Sequence, residues 1–166
     1  MKTTAKLRQL LKSESLIVAP FVLNAFHAKI AESVGLPAVY MTGAGTSAER
    51  GFPDVGLLTM TEMVANAKYI AGAVDIPVIC DADTGYGNPL NVQRTIREYE
   101  SAGVAGVHIE DQLFPKKCGF FAGKQVTPER GSSAEDQSCF GCTGGFRFCC
   151  YRQVRCLCSH WLGRHH

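Results

Sequence analysis

Pro77-Val78-Ile79-Cys80-Asp81-Ala82-Asp83-Thr84-Gly85-Tyr86-Gly87 turns abruptly from apolar to acidic and glycine-rich. A short apolar run bounded by breaker residues reads as a buried strand. That strand delivers Asp81 and Asp83 to its C-terminal end, and residues two apart on an extended chain project in similar directions. Two such carboxylates repel each other unless a hard cation neutralises them. Magnesium, which takes oxygen ligands and keeps several waters, suits the pair. The competing reading is a pair of helix-capping or solvated loop aspartates.

The same rhythm continues on either side. Upstream, Leu16-Ile17-Val18-Ala19-Pro20 reads as strand one. Residues 25–34 read as a helix that Asn24 can cap and Gly35 can stop. Residues 38–41 form strand two and run into the small-residue loop 42–47; residues 61–70 then space their apolar side chains helically after a Thr59 cap. Downstream, 91–101 is a helix stopped by Gly103, and 106–110 is strand four. Alternation at this spacing means parallel strands joined by crossover helices. Unbroken apolar runs fit strands covered on both faces.

Strands two, three and four end in Thr42, in Asp81 with Asp83, and in His108 with Glu110. A barrel gathers the C-terminal ends of all its strands around one mouth. An open sheet concentrates its site at a switch point, usually behind a glycine-rich loop after strand one; none follows Val22. The expected fold class is therefore α/β, a partial (β/α)8 TIM barrel of about four βα units followed by an irregular C-terminal tail. A closed barrel takes roughly 200 residues or more, and the chain has 166. Four strands are half of such a domain.

Composition narrows the function class. With 46% hydrophobic and 19% charged residues the chain can bury a core, and a net charge of +2 points to neither a nucleic-acid nor a membrane-surface partner. No apolar stretch reaches membrane-span length, and the opening residues lack a secretory apolar core. A cytoplasmic protein is expected.

Residues 1–130 and 131–166 are written differently. Six of the eight cysteines (Cys139, Cys142, Cys149, Cys150, Cys156 and Cys158) crowd near the end. Beyond Arg130 there is no Ile, Met, Lys, Asn or Pro, and no helical or strand period. The preferred reading is an out-of-frame or disordered tail. A zinc site from Cys139, Cys142, Cys156, Cys158 and His160 has an irregular second knuckle, and a disulfide framework conflicts with a cytoplasmic location.

Two further stretches carry chemistry. His108-Ile109-Glu110-Asp111-Gln112 ends strand four, beside strand three in a barrel, so Glu110 can join the cation shell of Asp81 and Asp83. Lys116-Lys117-Cys118-Gly119 places a thiol beside two lysines, which favours its thiolate and suits an acid/base or nucleophile. The bland alternatives are an ordinary buried histidine and a basic surface loop.

Taken in order, Tyr40-Met41-Thr42-Gly43-Ala44-Gly45-Thr46-Ser47-Ala48, Gly51-Phe52-Pro53-Asp54-Val55-Gly56, residues 81–87, 108–112 and 116–119 resemble the isocitrate lyase/phosphoenolpyruvate mutase family over nearly all of 5–128. The resemblance implies that Asp81 binds magnesium (manganese as a substitute) directly, while Asp54, Asp83 and Glu110 hold it largely through water. It implies that Tyr40, Thr42, Gly43 and Ala44 receive the keto-acid part of a small carboxylate or phosphonate substrate, with His108 in the same substrate-binding set. It makes Cys118 the acid that protonates a departing carbanion. Where the family usually has histidine after Cys-Gly, this chain has Phe120. Strands five to eight, with an arginine and a glutamate used around the substrate, are expected to be missing. Full-length relatives are usually homo-oligomers.

The expected activity is a magnesium-dependent lyase cleaving a C–C bond of a 2-hydroxy carboxylate of the 2-methylisocitrate or dimethylmalate type. Its rivals are P–C bond chemistry of the carboxyvinyl-carboxyphosphonate phosphorylmutase type and a truncated, inactive fragment.

Overall fold

The computed structural model describes residues 2–13 and 16–126, together with the backbone of 149–152. In chain order the elements are α1 (Thr3–Lys12), β1 (Phe21–Val22), α2 (Ala25–Ser33), β2 (Val39–Met41), α3 (Gly43–Glu49), α4 (Met60–Ala73), β3 (Val78–Asp81), α5 (Pro89–Ser101), β4 (Gly106–Ile109) and β5 (Cys149–Arg152). The strands form one parallel sheet in the order β1-β2-β3-β4-β5. Chain order and spatial order coincide, as they do in an α/β barrel; a doubly wound open sheet reverses its order at a switch point.

Register explains where the core lies. Tyr40 pairs with Ile79, Ile79 with Gly106, and Asp81 with His108, so these residues share one face of the sheet. The opposite face carries Val39, Met41, Val78, Cys80 and Val107, all buried. Against it pack helix residues at three- and four-residue spacing: Met63, Ala67 and Ile70 of α4, and Val92, Ile96 and Tyr99 of α5. Each large aliphatic side chain removed from water there contributes about 1.5–3 kcal/mol. The apolar face holds the sheet to its helices. The other face is left for polar chemistry.

Local signals set most helix ends. Asn24 caps α2 by accepting from the His27 N–H at 3.1 Å. Thr59 and Glu62 form a reciprocal capping box on α4, as do Asn88 and Asn91 on α5. Gly35 and Gly103 follow α2 and α5 in the left-handed region, at φ +82° and +88°, and stop them.

Three expectations are corrected. Strand one is Phe21–Val22 rather than 16–20, because pairing begins only where Tyr40 N–H donates to the Pro20 carbonyl; Leu16 is 90% exposed. The small-residue segment 42–47 is not a loop but the start of helix α3, which Thr42 caps by accepting from Gly45 N–H at 3.2 Å. The tail is not wholly irregular: Cys149–Arg152 pairs in parallel with β4. The proposed zinc residues Cys139, Cys142, Cys156, Cys158 and His160 lie outside the described residues. No helix among the described residues is long and apolar enough to cross a membrane.

Candidate metal and substrate site

The C-terminal ends of β2, β3 and β4 meet at one rim of the sheet, where the chain buries an unusual charge density. Asp81, Asp83, Glu110 and Lys116 are all less than a tenth exposed. Asp81 ends β3. Its Oδ2 accepts from Gly43 N–H at 3.2 Å and its Oδ1 from Asp83 N–H at 2.9 Å, so both oxygens are oriented by backbone. From the other side, the Tyr99 hydroxyl donates to the Asp81 carbonyl at 2.9 Å and contacts the Tyr86 hydroxyl at 3.3 Å. Asp83 and Tyr86 adopt positive φ, +47° and +62°, a strained choice for residues with a Cβ. That turn brings the Asp83 side chain back toward the rim, where its carbonyl accepts from Glu110 N–H at 2.7 Å.

One cation occupies the centre. The Lys116 ammonium lies 2.5 Å from Asp54 Oδ1, 2.5 Å from Asp83 Oδ1 and 3.9 Å from Glu110 Oε1. Three of the four carboxylates predicted to share an ion thus converge on a single atom, and Asp81 stands next to Asp83. Among the described residues, no three His, Cys, Asp or Glu are disposed around one metal ion. The donor set still fits a hard divalent cation: it is all carboxylate, buried and gathered about one positive point. The Lys116 ammonium stands at that point.

Electrostatics reflect the crowding. Burial, reinforced by Asp81, pushes Asp83 up to about 6, against the pull of Lys116. Burial likewise pushes Glu110 up to about 7. Asp81 is also raised by burial, although Lys116 and its two backbone donors oppose the shift. Burial would lower Lys116, but the surrounding carboxylates outweigh it and raise the ammonium.

The residues expected to receive substrate divide. The Tyr40 hydroxyl and His108 Nδ1 are 2.9 Å apart. Burial, then the nearby carboxylates, keep the phenol protonated well past its ordinary range, while burial, then Lys116, lower the histidine. The phenol and Nδ1 share one hydrogen bond, and Nε2 is buried and without a hydrogen-bond partner among the described residues. The Thr42 side chain is engaged in capping α3, and the Gly43 amide is engaged by Asp81. Ala44 lies in the first turn of α3, where an amide has no intrahelical carbonyl to meet.

Cys118 is partly buried in the loop after β4. The two lysines beside it in sequence direct their charge elsewhere: Lys116 into the carboxylates, and Lys117 to the Gly123 carbonyl at 3.1 Å. Sequence reading thus placed Lys116 at the thiol, whereas the fold places it among Asp54, Asp83 and Glu110. It also gave no role to Gln112, whose amide donates to Glu110 Oε2 at 2.6 Å and to the Lys117 carbonyl at 2.8 Å while accepting from Lys117 N–H. Tyr99 gave no sequence signal beyond its place on the apolar stripe of α5.

The sequence profile of the phosphoenolpyruvate phosphomutase family matches residues 7–135. The chain belongs to this family. It is 56% identical over 127 residues to 2,3-dimethylmalate lyase of Eubacterium barkeri, covering 76% of this chain and 44% of that protein. It is 42% identical over 132 residues to the carboxyvinyl-carboxyphosphonate phosphorylmutase of Arabidopsis thaliana, covering 78% and 39%. A phosphonopyruvate hydrolase solved with oxalate and magnesium superposes with a TM-score of 0.83 at 29% identity, over 92% of this chain and 52% of that one. The chain therefore spans about half the length, or less, of the relatives it matches, and its fold is the corresponding part of a TIM-type barrel.

Proposed function

We propose that the chain carries the metal- and keto-acid-binding part of a magnesium-dependent lyase acting on a 2-hydroxy carboxylate of the 2,3-dimethylmalate or 2-methylisocitrate type. The observation that supports it is the convergence of Asp54, Asp83 and Glu110 on one cationic point beside Asp81. Asp81 would hold the ion directly, and the other three carboxylates would hold it largely through water. Bound there, magnesium or manganese supplies Lewis-acid stabilisation of charge developing on the substrate oxygens.

The chain's own residues do the rest. Gly43 and the Asp83 amide fix the direction of Asp81, so the ligand does not reorganise as charge shifts. His108, its ring oriented by Tyr40 through Nδ1, presents the unpartnered Nε2 to a substrate oxygen, and the Ala44 amide offers a donor beside it, with Thr42 and Gly43 shaping that edge of the site. Cleavage breaks the C2–C3 bond as the 2-hydroxyl gives its proton to a solvent water and becomes a carbonyl. The bonding pair passes to C3, where the Cys118 thiol delivers a proton; water then reprotonates the thiolate.

The test is magnesium-dependent release of pyruvate from 2,3-dimethylmalate and 2-methylisocitrate by the whole chain, with Asp81→Ala and Cys118→Ser as controls. Turnover lost in both variants supports the assignment. Turnover unaffected by Asp81→Ala removes it. The phosphorylmutase reading is favoured by the Met41-Thr42-Gly43-Ala44-Gly45-Thr46-Ser47-Ala48 wording and the likeness to the plant mutase. It predicts instead a new phosphorus resonance from carboxyvinyl-carboxyphosphonate. If the chain binds the ion and turns over neither substrate class, it is the inactive fragment.

A further inference from the structure

We propose that Lys116 is a built-in counter-cation of the carboxylate cluster, and that a divalent ion enters only by displacing its ammonium. The inference rests on the metal reading above and deepens it. Lys116 is 2% exposed although lysine is among the residues least often buried. Its ammonium sits at hydrogen-bond distance from Asp54 and Asp83 and within ion-pair range of Glu110. Those are three of the four carboxylates that a metal would need. The ammonium occupies the point on which those carboxylates converge, so an ion drawn to that point takes its place. Binding is therefore an exchange of cations.

The surrounding loop fixes which part moves. Gln112 clamps the Lys117 backbone through both its N–H and its carbonyl, and ties it to Glu110. Lys117 and Lys124 hold the outer turn by bonding the carbonyls of Gly123, Gly119 and Phe121. With the backbone tied at 117, the exchange falls on the flexible stem of Lys116, which swings out while its Cα stays. The function follows directly: the lysine keeps the buried acids neutralised before metal arrives, and it sets the apparent metal affinity. That affinity is reduced by the fraction of time the site is free of the ammonium.

Manganese alone serves as the probe, bound to the full chain and followed by the paramagnetic resonance of the free ion. Lys116→Met, which keeps the stem and removes the charge, is expected to bind manganese about tenfold or more tightly than the parent chain. Because the variant leaves buried acids without their counter-ion and can fail to fold, a second measurement uses the parent chain only. Reductive methylation, read by mass spectrometry, should spare Lys116 without metal and label it once manganese is bound, with Lys117 and Lys124 labelled to a similar extent in both. Equal affinity in the two chains, or a Lys116 that stays protected with manganese bound, overturns the exchange and leaves the metal site standing. No manganese binding by either chain overturns both.

Discussion

Gly43 shows how closely the acidic rim is fitted to backbone. A Cβ on that residue would lie 2.5 Å from Asp81 Oδ2 and 2.9 Å from its Cγ, and α3 cannot retreat while Thr42 caps it. Gly43→Ala should therefore turn Asp81 out of line. We expect manganese affinity to fall about tenfold or more, as when a ligand loses its support, with a stability loss of about 1–3 kcal/mol from overpacking. Resonance titration and urea unfolding measure the two effects. Tyr99→Phe is expected to act more gently: the Asp81 carbonyl loses its donor in a buried setting, at a cost of about 1–2 kcal/mol in urea unfolding. At this scale the sequence disclosed acids better than their partners. Two carboxylates at a strand end raise a site by their repulsion, although helix-capping or solvated loop aspartates give the same pattern. Lys116 and Tyr99 meet those acids only through the fold, and a lysine or tyrosine in isolation has many commoner uses.

Helices and strands were legible to the extent that local chemistry fixes them. The Thr59 cap and its partner Glu62 start α4 within one residue of the expected position, since Thr59 N–H and hydroxyl both donate to Glu62 Oε2 at 2.7 Å. Those bonds hold the exposed Glu62 carboxyl below its ordinary range. Its folded value lies under its unfolded one, so the contribution is present above the unfolded value and lost as pH falls through the folded one. Thr59→Ala should cost about 1 kcal/mol near neutral pH, and the gap between the two chains should narrow as pH drops below about 4. Urea titrations at several pH values check it. Helix α3 was missed because Gly, Thr and Ser favour turns on propensity; its cap and its place after β2 decide otherwise. Strand one was misplaced for a different reason. Apolar character marks what can be buried, while pairing marks what is a strand, and here the two diverge.

At the level of the whole molecule, parallel order and alternating faces were readable from strand–helix rhythm, and the barrel choice followed from where the polar residues fell. The second half of the fold was not readable, because nothing after Arg130 carries a period. The sheet that results has unequal strands. β3 and β4 are each paired on both sides and backed by α4 and α5, whereas β1 has two residues and one described partner. Local opening should therefore begin at β1 and reach β3 last. The amides of Ala82 and Ala105, bonded between β3 and β4 at 2.9 and 2.8 Å, should exchange at the rate of global unfolding. The Tyr40 amide, bonded at 2.9 Å to Pro20 on the β1 side of the sheet, should exchange faster and track denaturant less steeply. Native-state hydrogen exchange at several urea concentrations separates the two classes. If Tyr40 and Ala82 follow one common isotherm, the sheet opens as a unit, and the polar rim is held by pairing along its entire length rather than by the two central strands that bear its acids.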